Sequence, residues 1–203
     1  MKGNVMEETI SAAEQNRPGT DPELLLVSLL HPLPEDYAPR LVPLEGDWQI
    51  DPRAREPLLK MLADCRAAGG EPVINSAYRS AERQRELFEK KIESIMTELG
   101  WERRKARGAA AWLVAPAGTS EHQTGLAVDI TDEETGLTSD PSFSERWLAE
   151  NAWRYGFILR YPKGKETVTG IQCEPWHFRY VGEGPAREMF QQGLTLEEYL
   201  GEQ

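Results

Sequence analysis

The sequence is poor in the residues that would staple or colour it: two cysteines and three histidines among 203 positions. Two cysteines cannot build a disulfide framework. A chain of this length can instead bury a core large enough to stand alone as one domain. Cys65 falls on an apolar helical stripe and reads as a small core residue. Cys173 adjoins Glu174 and offers a thiolate to any metal held there, and a Cys65–Cys173 bridge is left open. Positive charge is also scarce, with 23 Lys and Arg against 34 Asp and Glu and a net charge of -11. That balance excludes a broad nucleic-acid footprint and a polybasic membrane surface. It leaves room for a small anionic substrate held by one or two local arginines. No window approaches the roughly 18 apolar residues of a membrane span. Met1-Lys2-Gly3-Asn4-Val5-Met6 lacks a signal-peptide core. The chain as it stands therefore reads as cytoplasmic, with the cell envelope as the alternative if a leader or anchor was removed.

What is present falls into alternating helical and extended stretches. Residues 1 to 22 are polar and read as a flexible lead-in, followed by a single domain over 23–203. Leu24-Leu25-Leu26-Val27 reads as a short buried strand. His31 lies in a proline-fixed loop and reads as a surface or packing residue. Asp51-Pro52 signals a helix start, with Ala54, Leu58, Met61, Leu62 and Cys65 at helical spacing and a kink expected at Pro57. Pro72 to Tyr78 reads as a strand entering the core. Ser80 caps a long helix with Leu87, Phe88, Ile92, Ile95, Met96 and Leu99 as its buried stripe. Glu102 to Val114 is a second helical stretch. Asp140-Pro141 starts another helix, with Phe143, Trp147, Leu148 and Ala152 on one face. Phe157 to Tyr161 and Trp176 to Val181 read as strands. Gly184-Pro185 starts a helix, and Thr195-Leu196-Glu197-Glu198 is a capping box. Strands near the end of the chain can pair through loops, which favours an α+β fold with an antiparallel sheet.

Chemistry concentrates in two clusters. The first is Ser120-Glu121-His122-Gln123-Thr124-Gly125-Leu126-Ala127-Val128-Asp129-Ile130. Read as a strand from Gly125, it sends Leu126, Val128 and Ile130 to one face and Asp129 to the other. Gly125 lets the backbone fold back, so His122 can converge with Asp129. The second is Glu174-Pro175-Trp176-His177-Phe178-Arg179-Tyr180. Glu174 and His177, three apart, would oppose each other on a straight strand, and Pro175 is expected to set Glu174 in a turn before it. His177 then faces the same cavity as Asp129, and Trp176, Phe178 and Tyr180 form an aromatic core face.

Two histidines and a carboxylate suffice for a catalytic zinc with an open position for water. Glu174 is then a general base, and Arg79 a cation for a developing oxyanion or a substrate carboxylate. Ser120 and Gln84 are candidate hydrogen-bonding contacts to substrate. Each residue also has an ordinary reading: Asp129 as a turn residue, His177 as a core histidine, Arg79 as a surface ion pair, Gln84 as an exposed helix position. Spacing alone leaves the joint metal reading open against these. The same ligand triad also suits non-haem iron.

Ser120, His122, Gly125, Ala127 and Asp129, then Glu174 and His177, reproduce a Ser-x-His-x-x-Gly-x-Ala-x-Asp pattern followed by Glu-x-x-His. In this the chain resembles the zinc D-alanyl-D-alanine carboxypeptidases of the VanY type. Tyr78-Arg79-Ser80 followed by Gln84 is similar to that family's substrate-binding arginine region. The likeness runs from about Leu24 to Tyr199. It implies one zinc ion on His122, Asp129 and His177, Glu174 as base, and Arg79 as a transition-state or substrate contact. It further suggests Tyr78 and Trp176 as substrate contacts beside Ser120 and Gln84. It implies a small antiparallel sheet flanked by helices, shared with VanX-type D,D-dipeptidases and the hedgehog domain. The implied substrate is a peptidoglycan stem peptide or precursor, from which terminal D-alanine is removed. D-Ala-D-Ala dipeptidase activity, a bifunctional enzyme and an L,D-carboxypeptidase on tetrapeptide stems are the alternatives. A non-catalytic zinc module is a further one, against which the spare Glu174 argues.

Overall fold

The computed structural model describes residues 21–132 and 140–202. The flexible lead-in expected for residues 1 to 22 lies almost wholly outside them. From the described residues, β1 (Val42–Pro43) and β2 (Gln49–Ile50) form a small antiparallel ribbon. They lead into α1 (Pro52–Ala67). Then come β3 (Pro72–Ser76), α2 (Ala81–Leu99) and α3 (Arg103–Leu113). A 3-10 turn at Glu121–Thr124 precedes β4 (Ala127–Asp132) and α4 (Phe143–Asn151). β5 (Phe157–Tyr161), α5 (Glu166–Thr169), β6 (Glu174–Tyr180), α6 (Glu183–Gln192) and α7 (Leu196–Leu200) complete the order. Four strands make one antiparallel sheet in the order β3-β4-β6-β5, so the α+β reading holds.

The sheet has two differently used faces. Leu126 leads into β4, and with Val128, Ile130, Phe178, Phe157 and the α1 stripe Ala54, Leu58, Met61, Leu62 and Cys65 it forms the main core. The opposite face carries Asp129 and His177. Register brings these two together, because Asp129 and His177 are directly paired across β4 and β6. Such partners have Cβ atoms about 4.5–5.5 Å apart, close enough to share one ligand. α2 and α3 pack on each other through Phe88, Ile92, Ile95, Ala106 and Ala110. They form the far wall of the space over that face.

Local signals set the helix ends. Asp51 accepts a hydrogen bond from the Arg53 amide at 2.9 Å, with Pro52 at the first helical position. Ser80 accepts from the Arg83 amide at 3.2 Å. Thr195 and Glu198 close a reciprocal capping box, as expected.

Several expectations are corrected. The Leu24 run is not a strand: Pro22–Leu24 forms a 3-10 turn, and the chain that follows has no strand partner among the described residues. Leu24 and Val27 are buried, but the carbonyls of Glu23 and Leu25 accept from Arg179 Nη2 at 3.0 and 2.9 Å instead of joining a ladder. α1 passes through Pro57 unbroken. In its second turn, proline forfeits a single bond to the Arg53 carbonyl, and the buried stripe carries the helix past it. Leu99, expected on the buried stripe of α2, is 55% exposed at the helix end. Ser142, not Asp140, caps α4, because Glu145 three residues on completes a capping box; this leaves Phe143 44% exposed. α6 begins at Glu183, with Pro185 inside the first turn where its missing N–H is not needed. Both cysteines are free thiols.

Candidate active site

The loop before β4 depends on one glycine. Gly125 ends the 3-10 turn at φ 74°, and its carbonyl accepts from the Asp51 amide at 2.8 Å. A Cβ there would lie 2.8 Å from Leu41 Cδ2 and 3.1 Å from the Asp51 nitrogen. Gly125→Ala is expected to cost at least about 1–3 kcal/mol from backbone strain alone. Chemical denaturation of the metal-free protein measures it, and an unchanged midpoint would contradict the requirement. This tight turn holds His122 in place, and the Arg79 amide donates to the His122 carbonyl at 3.1 Å.

His122, Asp129 and His177 each offer one donor atom, and these atoms lie within 4.8 Å of one another. His122 Nε2 is 3.2 Å from Asp129 Oδ1, and His177 Nδ1 is 3.0 Å from the same oxygen. Ligands at zinc-ligand distances in tetrahedral array are about 3.3 Å apart, so these edges fit one small ion. Each ring has its other nitrogen engaged. His122 Nδ1 lies 2.7 Å from the Ala77 carbonyl, which only accepts, so Nδ1 carries the proton and Nε2 presents a lone pair. Burial and the neighbouring Arg79 push His122 down to about 4, which keeps it neutral. Burial alone would raise Asp129, but His122 and His177 hold it well below the usual carboxylate range. Two acceptors, His122 Nε2 and Asp129 Oδ1, thus face each other and call for a cation between them. In the structure, Arg79 supplies one: its Nη2 donates to Asp129 Oδ2 at 2.7 Å and to His122 Nε2 at 2.9 Å. The donor chemistry and the converging lone pairs fit a divalent metal.

His177 is set differently. Its Nε2 lies 3.4 Å from Glu121 Oε2 and its Nδ1 faces Asp129. Burial would lower it, but hydrogen bonds to Asp129 and Glu121 raise it to about 9. Glu121 is fully buried and sits between two arginines. Arg160 Nε donates to Glu121 Oε1 at 2.8 Å. Arg179 Nη1 lies 3.0 Å from the same oxygen, within ion-pair range although not aligned as a hydrogen bond. Burial alone would raise Glu121, yet Arg160 and Arg179 hold it far below its ordinary value. Arg160 also forks onto Glu197 of α7 at 2.9 and 2.5 Å. This network was missed by reading the sequence. One signal was available: Arg160 is the only charge in the otherwise apolar strand Phe157-Ile158-Leu159-Arg160-Tyr161, and such a charge must be paired to be buried.

Glu174 reaches the site by a route other than the expected turn. It belongs to β6 and pairs with Tyr161. Between Leu159 and Tyr161 on β5, β6 advances four residues, from Phe178 to Glu174, and this bulge breaks strict alternation. Glu174 and His177 consequently lie on the same side, with 3.8 Å between Oε2 and Nδ1. Burial pushes Glu174 up to about 7, with Asp129 and Glu121 raising it further against His177 and Arg79.

These groups share a cleft of about 600 Å³, also lined by Tyr78, Ser120, Trp176 and Gln84. Trp176 is half-buried there and does not join the core with Phe178 and Tyr180. Gln84, read alone as an exposed helix position, is 1% exposed. Its amide oxygen accepts from Arg79 Nη1 at 3.1 Å and its nitrogen donates to the Ala115 carbonyl at 2.6 Å. It therefore orients Arg79. Cys173 is outside the metal-capable group and His31 lies apart, beside Ser28 and Glu202.

A four-stranded antiparallel sheet under helices, with Asp129 and His177 on its inner strands, His122 on the turn leading into them and a high-pKa glutamate beside them, is the architecture of a D,D-peptidase-like metallopeptidase. The family model described as VanY, D-alanyl-D-alanine carboxypeptidase, matches residues 47–183, and the chain belongs to that family. A D-alanyl-D-alanine carboxypeptidase of Enterococcus faecalis (strain ATCC 700802 / V583) is 40% identical over 197 residues, which cover 97% of this chain and 72% of that protein. The vancomycin-resistance D,D-pentapeptidase VanY of a VanB-type cassette, solved as a glutamate-to-alanine mutant with Zn(II), is 42% identical at a TM-score of 0.82. It covers 89% of this chain and 99% of its own. VanYB in complex with D-alanine-D-alanine is 41% identical at a TM-score of 0.83, covering 89% of this chain and 98% of its own. Among the described residues no helix is long and apolar enough to cross a membrane.

Proposed function

We propose that this chain is a zinc D,D-carboxypeptidase that releases the terminal D-alanine of peptidoglycan stem peptides. The observation that carries this reading is a buried His122–Asp129–His177 donor set beside Glu174, in one cleft, in a chain of the VanY family. His122 Nε2, Asp129 Oδ1 and, once the ion displaces its proton, His177 Nδ1 would hold the ion. Zinc there would polarise a carbonyl and bring the pKa of a bound water to about 7.

The protein groups divide the remaining work. Glu174, whose carboxyl is pushed up to about 7, takes the proton of the attacking water and returns it to the leaving amine. Arg79, held by Gln84 and Ser76, brings positive charge to the oxygen that becomes anionic during attack. Tyr78, Ser120 and Trp176 line the cleft where the peptide lies. The relative complexed with D-alanine-D-alanine supports the choice of substrate. The expected result is release of D-alanine from a pentapeptide stem, abolished by a chelator and restored by one equivalent of zinc. A chromatographic assay for free D-alanine checks it, and turnover that survives complete metal removal would contradict the proposal.

A further inference from the structure

Away from the metal-capable cluster, the cleft has an opposite electrical character. The chain carries a net charge of -11. The acidic groups lining the cleft are Glu121, Asp129 and Glu174, all at the cluster. The long wall supplied by α2 presents Arg83, Gln84, Leu87, Lys90, Lys91 and Ser94, which recur on one helical face. Three of those six are cations. Arg83 is paired with Glu86 at 2.9 Å. Of the acidic residues near the lysines on α2, Glu86 is taken by Arg83 and Glu89 is engaged by Arg103 and Arg107 of α3. Among the described residues, Lys90 and Lys91 have no ion-pair partner, and Lys91 is half-buried. Positive charge concentrated in a cleft of an acidic protein attracts an anionic ligand that the surface as a whole repels.

Helix geometry sets the distance. Gln84 marks the reacting end, because its amide holds Arg79 and Arg79 reaches Asp129. Lys91 is seven residues further along α2, about 10 Å at roughly 1.5 Å per residue. An extended peptide covers about 3.3 Å per residue, so this spans about three residues. A single leaving residue is too short to place its own carboxylate there.

Resting on the carboxypeptidase reading above, we propose that Lys90 and Lys91 form a subsite for a carboxylate carried about three residues N-terminal to the scissile bond. The site thereby selects acidic peptides over neutral ones, and over a free dipeptide that cannot span the distance. The test uses matched acyl-peptides ending in D-Ala-D-Ala, with glutamate or glutamine at the third residue before the scissile bond. Wild-type kcat/KM is expected to favour the acid by about 2- to 5-fold at low ionic strength, as for a partly screened ion pair. That ratio shrinks with added salt and falls to near one in Lys90→Met/Lys91→Met, with the change carried by KM. A wild-type ratio of one, or a ratio unchanged in the double variant, overturns the proposal. The second result would also arise if the lysines served the terminal carboxylate common to all substrates. The same ratio read as Kd by calorimetry does not need turnover. Absence of catalysis therefore counts against the carboxypeptidase reading, while the Kd ratio still decides the subsite.

Discussion

Glu174→Gln is expected to lower kcat by about 10²–10⁴-fold, the usual worth of a positioned general base, while the protein keeps its zinc. Glutamine preserves the shape of the side chain and removes only its capacity to carry a proton. The donor atoms of His122, Asp129 and His177 do not depend on it, so metal content by elemental analysis stays at one per chain. The pH behaviour follows from the same burial. In the metal-free protein Glu174 is pushed up to about 7, so it is increasingly protonated below that pH. A carboxyl raised on folding favours the folded state at low pH and loses that contribution as pH rises through its folded value. Metal-free Glu174→Gln should then gain stability over the parent at pH 8 and show no gain near pH 4. Denaturation at the two pH values reads this directly, and an equal difference at both would contradict the assignment of the raised pKa to Glu174.

The second large effect concerns the fold. Glu121→Gln removes the buried carboxylate that Arg160 and Arg179 share. Breaking a buried ion pair by neutralising one partner costs about 3–5 kcal/mol, because the remaining charge stays desolvated. For a chain of this size that is a fall of roughly 10 °C in Tm. Glu121 is held far below its ordinary pKa, so its contribution is present above the unfolded carboxylate range and is lost as pH falls. Parent and variant should converge in acid. A loss below about 1 kcal/mol at neutral pH would mean that Glu197 and the backbone carbonyls satisfy the two arginines on their own.

The parts of this protein that the sequence made legible are governed by neighbours in the chain. Asp51-Pro52, Ser80 and the Thr195 capping box set helix starts through groups two or three residues away. Alternation along Leu126 to Ile130 correctly divided core residues from Asp129. The features that escaped depend on distant partners. Glu121 sits 39 residues before Arg160 and 58 before Arg179, and nothing local announces either pairing. Gln84 is buried because Arg79 and the Ala115 carbonyl take both ends of its amide. The Leu24 segment looks like a strand, but Arg179 takes its carbonyls. Glu174 and His177 share a side through a bulge in β6, a property of the pairing with β5 and not of Pro175 alone.

The Arg79 contacts connect site assembly to chemistry. Its guanidinium lies on Asp129 and His122, two of the proposed ligands, and is itself fixed by Ser76 and Gln84. Zinc binding would take the His122 Nε2 lone pair that Arg79 engages here, so Arg79 would shift off that nitrogen, and its contacts to Ser76 and Gln84 would keep it beside the ion for the substrate oxygen. Anomalous diffraction at the zinc edge from crystals of the zinc-loaded protein tests the central assignment most directly. The expected result is a single peak about 2.0–2.2 Å from His122 Nε2, Asp129 Oδ1 and His177 Nδ1, with Glu174 outside the ligand set. A peak elsewhere, or one in which Glu174 replaces any of the three ligands, would contradict it.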